Sequence, residues 1–411
     1  MASPSLSATH KEALDRILAH AVASKITPAL FLAVTTADGP IYMHQTGTKL
    51  IDDPTSAAIN EDTVFWLCSQ TKLITSIAAL QLVDQGKIAL DTPVESILPE
   101  LKHPVVLGVD ESGQPKTTPA KTKITLGHLL NHSSGLDYYG DPALRDPNGM
   151  SVPYSHRYKD DEDGVSTFFK ILKGPHPGVP LKFEPGTDFA YGFSTDCAGF
   201  IVERLSGKSL EQYFLDHIFA PLGITSASFY LTPALKDRLF PLSKANASGV
   251  LEPWKGPPLI EQDPTRVRVH LGGVGGYASQ KDYLTLLRHL LQIKAGSATA
   301  PILSRSSIDS MFAQTLTPAG GASLLAMIDP YLGLPAGGAQ HGYGLSVMAV
   351  DVENRRRAGS GAWGGWANTS FFLDPASGIA VVFGTQLIPT GDKTHKQIFK
   401  DIETELYAGL V

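Results

Sequence analysis

The sequence predicts an α/β (α+β) fold in which one antiparallel sheet is assembled from both chain ends and a mostly helical segment is inserted between them. Two groups of strand-like runs and the stretch separating them carry that expectation. Near the N-terminus, Ala29 to Thr36 and Ile41 to Thr46 read as strands parted by the turn Asp38-Gly39-Pro40. Near the C-terminus, Gly344 to Val352, Asn368 to Leu373 and Ile379 to Thr385 read as three more, the last two joined by Asp374-Pro375-Ala376-Ser377-Gly378. Between the two groups helical patterns dominate: Leu126 to Asn131, Val165 to Leu172, Asp196 to Leu205, Leu210 to Ile218 and Lys281 to Gln292. The expected division is residues 1–100 with 311–411 as the sheet unit and residues 101–310 as the helical insert, with the functional site between them.

The remaining elements follow from local pattern. His10 to Ala23 places Leu14, Ile17, Leu18, Ala21 and Val22 at helical spacing, and a closing helix runs from about Thr394 to Tyr407. Asp141 to Asp163 and Thr315 to Gln340, rich in Pro, Gly and charge or in Gly and Ala, read as loops lying over a site. No internal repeat or low-complexity tract interrupts the chain.

Composition narrows the function classes. The 411 residues are 43% hydrophobic and 18% charged, enough to bury a large core. With 34 basic against 40 acidic residues and a formal charge of −6, the chain lacks the basic field that a nucleic-acid partner would need. Two cysteines, Cys68 and Cys197, cannot supply a disulfide framework and read as buried thiols in a reducing compartment. Residues 1–24 have neither the basic start nor the apolar run of a signal peptide, and no stretch approaches a membrane span. The expectation is a soluble, cytoplasmic protein with no membrane partner, and a monomer is favoured.

The strongest chemical signal is Ser69-Gln70-Thr71-Lys72 at the head of an apolar helix that continues through Ile77, Leu80, Leu82 and Val83 to a stop at Gly86. At the first turn of such a helix, free backbone N–H groups and the positive end of the dipole favour a developing oxyanion. Lys72 stands one helical turn from Ser69 and can reach its hydroxyl. Burial among apolar residues would allow the amine to be neutral and to accept the serine proton. The plain alternative is a capping serine and a lysine that snorkels to water.

Around this motif the chain resembles the serine β-lactamase-related family, in particular family VIII carboxylesterases and the lovastatin-type acyltransferases and statin-ester hydrolases, on the class C β-lactamase fold. The resemblance rests on Ser69 to Thr75, Gln85-Gly86-Lys87-Ile88-Ala89-Leu90-Asp91, Ile124 to Leu136, Pro185-Gly186-Thr187-Asp188-Phe189-Ala190-Tyr191-Gly192, Pro221 to Ile224 and Gly272-Gly273-Val274-Gly275-Gly276. It implies a β-lactamase/penicillin-binding-protein-like fold and Tyr191 as the phenol that, held near Lys72, carries the proton between Ser69 and the leaving group. Many relatives carry Asn two residues after that tyrosine, where Phe193 stands here, so a polar contact is replaced by an apolar one at the substrate.

The strand that carries Lys-Thr-Gly in β-lactamases corresponds to Trp363-Gly364-Gly365-Trp366. Losing the cation and hydroxyl removes the main attraction for an anionic substrate, although Arg355 to Arg357 could replace the cation if turned inward. The resemblance implies an oxyanion hole from the backbone N–H groups of Ser69 and Trp366, with Trp363, Gly364 and Gly365 along the acyl group and Tyr138 at the substrate. A glycine bulge between core tryptophans is the plain alternative for this strand.

Other chemistries fit less well. Gly273-Val274-Gly275-Gly276-Tyr277-Ala278 satisfies G-x-G-x-x-A, but no βαβ pattern surrounds it; close packing beside the nucleophile helix is the better reading. No G-x-S-x-G elbow is present for a Ser-His-Asp hydrolase. His128 and His132 are four apart without the H-E-x-x-H glutamate, so helix-end packing rather than metal binding is expected. No cofactor and no metal are predicted. The resulting expectation is a serine carboxylesterase acting through a Ser69 acyl-enzyme on a small-molecule ester with an apolar acyl group. The alternative is an acyltransferase delivering the acyl group to an alcohol or amine, and β-lactamase, peptidase or scaffold roles stand lower.

Overall fold

The structure is a computed structural model that describes the chain except residues 1–2, 139–141, 147–148, 247 and 392, and the side chains of residues 143 and 329–332. Asp141, the first residue of one expected covering loop, lies outside the described residues.

Seven strands form the main sheet in the order Ala339–His341, Ser346–Met348, Gly361–Gly365, Thr369–Asp374, Ile379–Gly384, Ala29–Thr35, Pro40–Gly47, every neighbour antiparallel. The two chain ends meet where Ala29–Thr35 pairs with Ile379–Gly384, in a register that sets Ala33 against Val382. Both central strands are buried along their whole length because the sheet is covered on two sides. Period-two alternation sends Leu30, Leu32 and Val34 to one face, against Leu14 and Leu18 of the first helix (Ala8–Ala23) and Ile398, Ile402 and Leu406 of the last (Lys393–Ala408). Ala29, Phe31 and Ala33 face the other way, into the large core shared with the helices of the middle of the chain.

The sequence reading and the structure differ at two places that matter for the site. Residues 315–340 are not a loop: Pro318–Leu332 is a helix. Its glycines obscure the helical pattern but have a packing reason, since a Cβ at Gly321 would stand 3.2 Å from the Ala339 carbonyl oxygen and one at Gly320 3.3 Å from the Asp188 backbone. Gly361–Gly365 is a full strand between Ser346–Met348 and Thr369–Asp374, where the resemblance sets one, although strand propensity alone does not mark it. Within residues 141–163, Ser151 precedes a short helix, Val152–Ser155, which carries Tyr154 into the interior at 3% exposure.

Among the described residues no helix is long and apolar enough to cross a membrane. Cys68 and Cys197 are both buried and free.

Candidate active site

The nucleophile candidate is set by a turn that is clamped from two sides. Strand Val64–Trp66 pairs with Tyr277–Ser279 and leads through Leu67 into a 3₁₀ turn, Cys68–Gln70, and then the helix Thr71–Asp84. Cys68 has φ of +47°, a left-handed conformation that costs a non-glycine residue about 1–2 kcal/mol. The surroundings impose it. On one side the Leu67 N–H donates to the Gly276 carbonyl at 2.9 Å, and the Gly276 N–H donates to the Thr71 hydroxyl at 3.0 Å. On the other the Thr369 hydroxyl donates to the Leu67 carbonyl at 3.4 Å, and the Trp366 backbone N–H is directed at the Cys68 sulfur. A Cβ at Gly365 would lie 2.4 Å from both the Leu67 carbonyl and the Thr369 hydroxyl. That glycine is therefore needed for the approach of protein backbone, and it also lines the larger cavity beside Gly364.

Lys72, 3% exposed, points its Nζ at three oxygens: the Ser69 hydroxyl at 3.3 Å, the Tyr138 hydroxyl at 3.1 Å and the Gly273 carbonyl at 2.8 Å. The glycine-rich loop supplies that last oxygen because it lies directly against the nucleophile helix, with Thr75 donating to the Gly272 carbonyl at 2.8 Å. A Cβ at Gly273 would stand 2.6 Å from a carboxylate oxygen of Asp196. Asp196 is buried in the first turn of helix Ser194–Ser206; it accepts from the Gly273 N–H at 2.8 Å and from the Tyr154 hydroxyl at 2.6 Å. Tyr154 and Tyr138 touch hydroxyl to hydroxyl at 2.7 Å. Burial pushes Asp196 above the usual carboxylate range, partly offset by Lys72, Tyr154 and Gly273.

The phenol that hydrogen-bonds Lys72 is thus that of Tyr138. Tyr191 instead offers Lys72 its ring face, 4.7 Å from Nζ, while its hydroxyl accepts from the Trp363 indole N–H at 3.2 Å. The two tyrosines are tied together, the Tyr138 N–H donating to the Tyr191 carbonyl at 3.3 Å. Phe193 lines neither of the two cavities that meet at Ser69; it is fully buried and packs edge-on against Tyr138, Tyr154 and Phe168. It supports the tyrosines from behind, so the expected substrate contact is corrected to a packing one. Trp363 stacks on His132, which is 3% exposed with φ of +60° and whose Nδ1 has no hydrogen-bond partner among the described residues. Burial, His341 and Lys72 hold His132 well below the usual imidazole range, and burial lowers His341 to about 4. Both histidines are neutral near neutral pH and pack against the Trp363 ring. His128 instead closes a capping box with Thr125.

Ser69, Tyr191 and Trp366 stand where two cavities meet. The larger, about 700 Å³, is lined by Phe189, Ser323, Met327, Trp363, Gly364 and Gly365 among others, and the helix Pro318–Leu332 forms part of its wall. The smaller, about 200 Å³, is lined by Cys68, Tyr138, Met150, Tyr154 and Val274. Arg355 and Arg356 reach the far end of the larger cavity but are buried against Glu403, Arg356 in a two-pronged contact at 2.8 and 2.9 Å. No cluster of three or more metal-ligating side chains occurs among the described residues.

Sequence reasoning misses Tyr154, Asp196 and the Gly273 carbonyl. A lone acid ahead of the apolar stretch Cys197 to Val202 is a usable signal for Asp196; Tyr154, in a segment without periodicity, gives none.

The fold is that of β-lactamase-type serine hydrolases and acyltransferases, and comparison places the chain among them. The family described as Beta-lactamase matches residues 14–399, and the chain belongs to that family. It is 30% identical to monacolin J acid methylbutanoyltransferase of Aspergillus terreus over 361 residues, 84% of this chain and 82% of the relative. It is also 30% identical to lovastatin esterase of Penicillium rubens, over 89% of this chain and 90% of that one. Among solved structures, unliganded simvastatin synthase (LovD) from Aspergillus terreus superimposes with a TM-score of 0.82 at 28% identity, covering 98% and 99% of the two chains.

Proposed function

We propose that this chain is a serine carboxylesterase, working through an acyl-enzyme on Ser69. The observation that carries the reading is the Lys72 Nζ at 3.3 Å from the Ser69 hydroxyl, which stands on the 3₁₀ turn leading into the buried helix and lines both cavities. Ser69 Oγ attacks the ester carbonyl carbon while its proton passes to Lys72. The resulting oxyanion takes the backbone N–H groups of Ser69 and Trp366, the latter displacing its weak contact to the Cys68 sulfur. Burial pushes the Cys68 thiol up, so it is a neutral and easily displaced acceptor.

Collapse of the intermediate releases the alcohol, which needs a proton. Lys72, carrying the Ser69 proton beside Oγ, is one donor for it; Tyr191, whose oxygen accepts from Trp363 and which keeps its own hydrogen to donate, is the second. Water then discharges the acyl-enzyme. The two cavities suit an ester with a compact apolar acyl group on one side of Ser69 and a bulky alcohol on the other, the kind of ester that the names of the relatives describe. The burial of both arginines against Glu403 argues against a substrate held by its carboxylate at that end. Two buried free thiols suit a reducing, cytoplasmic setting.

Acyl transfer is the second reading, because a methylbutanoyltransferase is as similar as an esterase and the same residues serve both outcomes. Intact-protein mass after p-nitrophenyl butyrate or a fluorophosphonate, for wild type, Ser69→Ala and Lys72→Ala, tests the common step. A serine adduct and p-nitrophenol release, both lost in Ser69→Ala, are expected. A folded wild type giving neither would leave a binding scaffold as the better account. Added alcohols that increase p-nitrophenol release and yield new esters would favour transfer over hydrolysis.

A further inference from the structure

Behind Lys72 two hydrogen-bonded arms start from one carboxylate and end at the same amine. Asp196 accepts at Oδ2 from the Tyr154 hydroxyl and at Oδ1 from the Gly273 N–H. Tyr154 has a single hydroxyl proton and spends it on Asp196, so the 2.7 Å contact between phenols requires Tyr138 to donate to Tyr154. The Tyr138 oxygen is then an acceptor, and Lys72 donates to it at 3.1 Å. Along the other arm, the Gly273 carbonyl accepts from Lys72 at 2.8 Å. In the base role read for Lys72, the amine has two N–H bonds and one lone pair. Both hydrogens are used by the two arms, and the lone pair remains for the Ser69 hydroxyl. On the phenol arm each bond takes its direction from the Asp196 carboxylate, which accepts, and on the other arm from the fixed roles of the Gly273 peptide, whose N–H donates and whose carbonyl accepts.

We propose that Asp196, acting through Tyr154 and the Gly273 peptide, is the positioning residue that aims the Lys72 lone pair at Ser69. The proposal rests on the reading of Ser69 and Lys72 as nucleophile and base. It also accounts for the short helix Val152–Ser155, which inserts Tyr154 and completes the aim only when it is seated. An asparagine at position 196 would reverse one arm. Its amide oxygen would keep the Gly273 N–H, and its NH₂ would donate to Tyr154. Tyr154 would then donate to Tyr138, and Tyr138 to the Lys72 lone pair, which is drawn away from Ser69.

The test compares wild type, Asp196→Asn, Tyr154→Phe and the double variant, with near-ultraviolet circular dichroism as the check on folding. Two rates are read: Ser69 labelling by a fluorophosphonate, and kcat and KM for p-nitrophenyl butyrate. Each single variant is expected to lose on the order of 10²-fold in labelling rate and kcat with KM within about twofold, and the double variant to be no slower than the worse single. Wild-type labelling rates in the single variants, a rise in KM that accounts for the loss, or additive losses in the double would each overturn the proposal. Should Asp196→Asn fail to fold, Tyr154→Phe alone decides, since it removes one hydroxyl from an otherwise unchanged ring. A wild type that is not labelled at Ser69 at all is a different result: it fails the acyl-enzyme reading itself.

Discussion

Asp196, inside the site, and Glu403, behind the sheet, are both buried carboxylates, yet they are held in opposite ways. Burial pushes Glu403 up, but the guanidinium of Arg356 clasps it with two bonds and Arg355 stands nearby, so its net position is below the usual carboxylate range. The hydrogen-bond partners of Asp196 are a phenol and a peptide N–H rather than a cation, and burial leaves it above that range. The first arrangement ties the last helix to the sheet. The second keeps an ionisable group in an unfavourable place, as expected where a site trades stability for orientation.

The contrast can be broken most forcefully at Glu403. Glu403→Gln strands Arg356 in the interior and should cost about 3–5 kcal/mol in stability, read by urea unfolding, while Ser69 labelling per folded molecule stays at the wild-type rate. A loss of labelling without a loss of stability would erase the distinction. Asp196→Asn should do the reverse, slowing labelling on the order of 10²-fold while unfolding at neutral pH shows equal or greater stability.

Acid titration sharpens the same pair. Glu403, lowered on folding, contributes stability that is present above its unfolded value near 4.5 and lost as pH falls through the folded value. Asp196, raised on folding, favours the folded state below its unfolded value near 3.8 and loses that contribution as pH rises through the folded value. Melting temperature against pH should therefore lose part of its acid decline in Glu403→Gln. In Asp196→Asn it should gain most on the alkaline side of the raised value.

Smaller effects are expected at the turn that presents Ser69. Gly365→Ala places a methyl group within 2.4 Å of Leu67 and Thr369 atoms, and should cost about 1–3 kcal/mol and slow labelling by displacing Cys68 and Ser69. Unchanged stability and rate would mean that the strand yields and that the glycine serves something else. Trp363→Phe removes the donor to Tyr191 and should lower kcat for p-nitrophenyl butyrate by roughly the fivefold that corresponds to about 1 kcal/mol, with Ser69 labelling nearly unchanged.

Much of this molecule is legible in the order of its residues. The serine and lysine one turn apart, the apolar helix behind them and the strand runs at both ends are local patterns, and local periodicity reports them directly. Pro318–Leu332 reads as a loop in sequence because its glycines serve contacts with residues far away along the chain. The resemblance brings the Tyr191 hydroxyl to Lys72; its place in the chain is plain, but which phenol faces the amine depends on how Tyr138, Trp363 and Tyr191 pack together.

Periodicity and the chemistry of neighbours along the chain are enough to set the element types, the apolar character of the central strands and the residue types gathered at Ser69. The ring that Asp196, Tyr154 and the Gly273 peptide close on Lys72 exists only once the chain is folded. Asp196 stands 42 residues from one of these partners and 77 from the other, and hydrogen-bond direction is a property of groups brought together in space, to which spacing along the chain is blind.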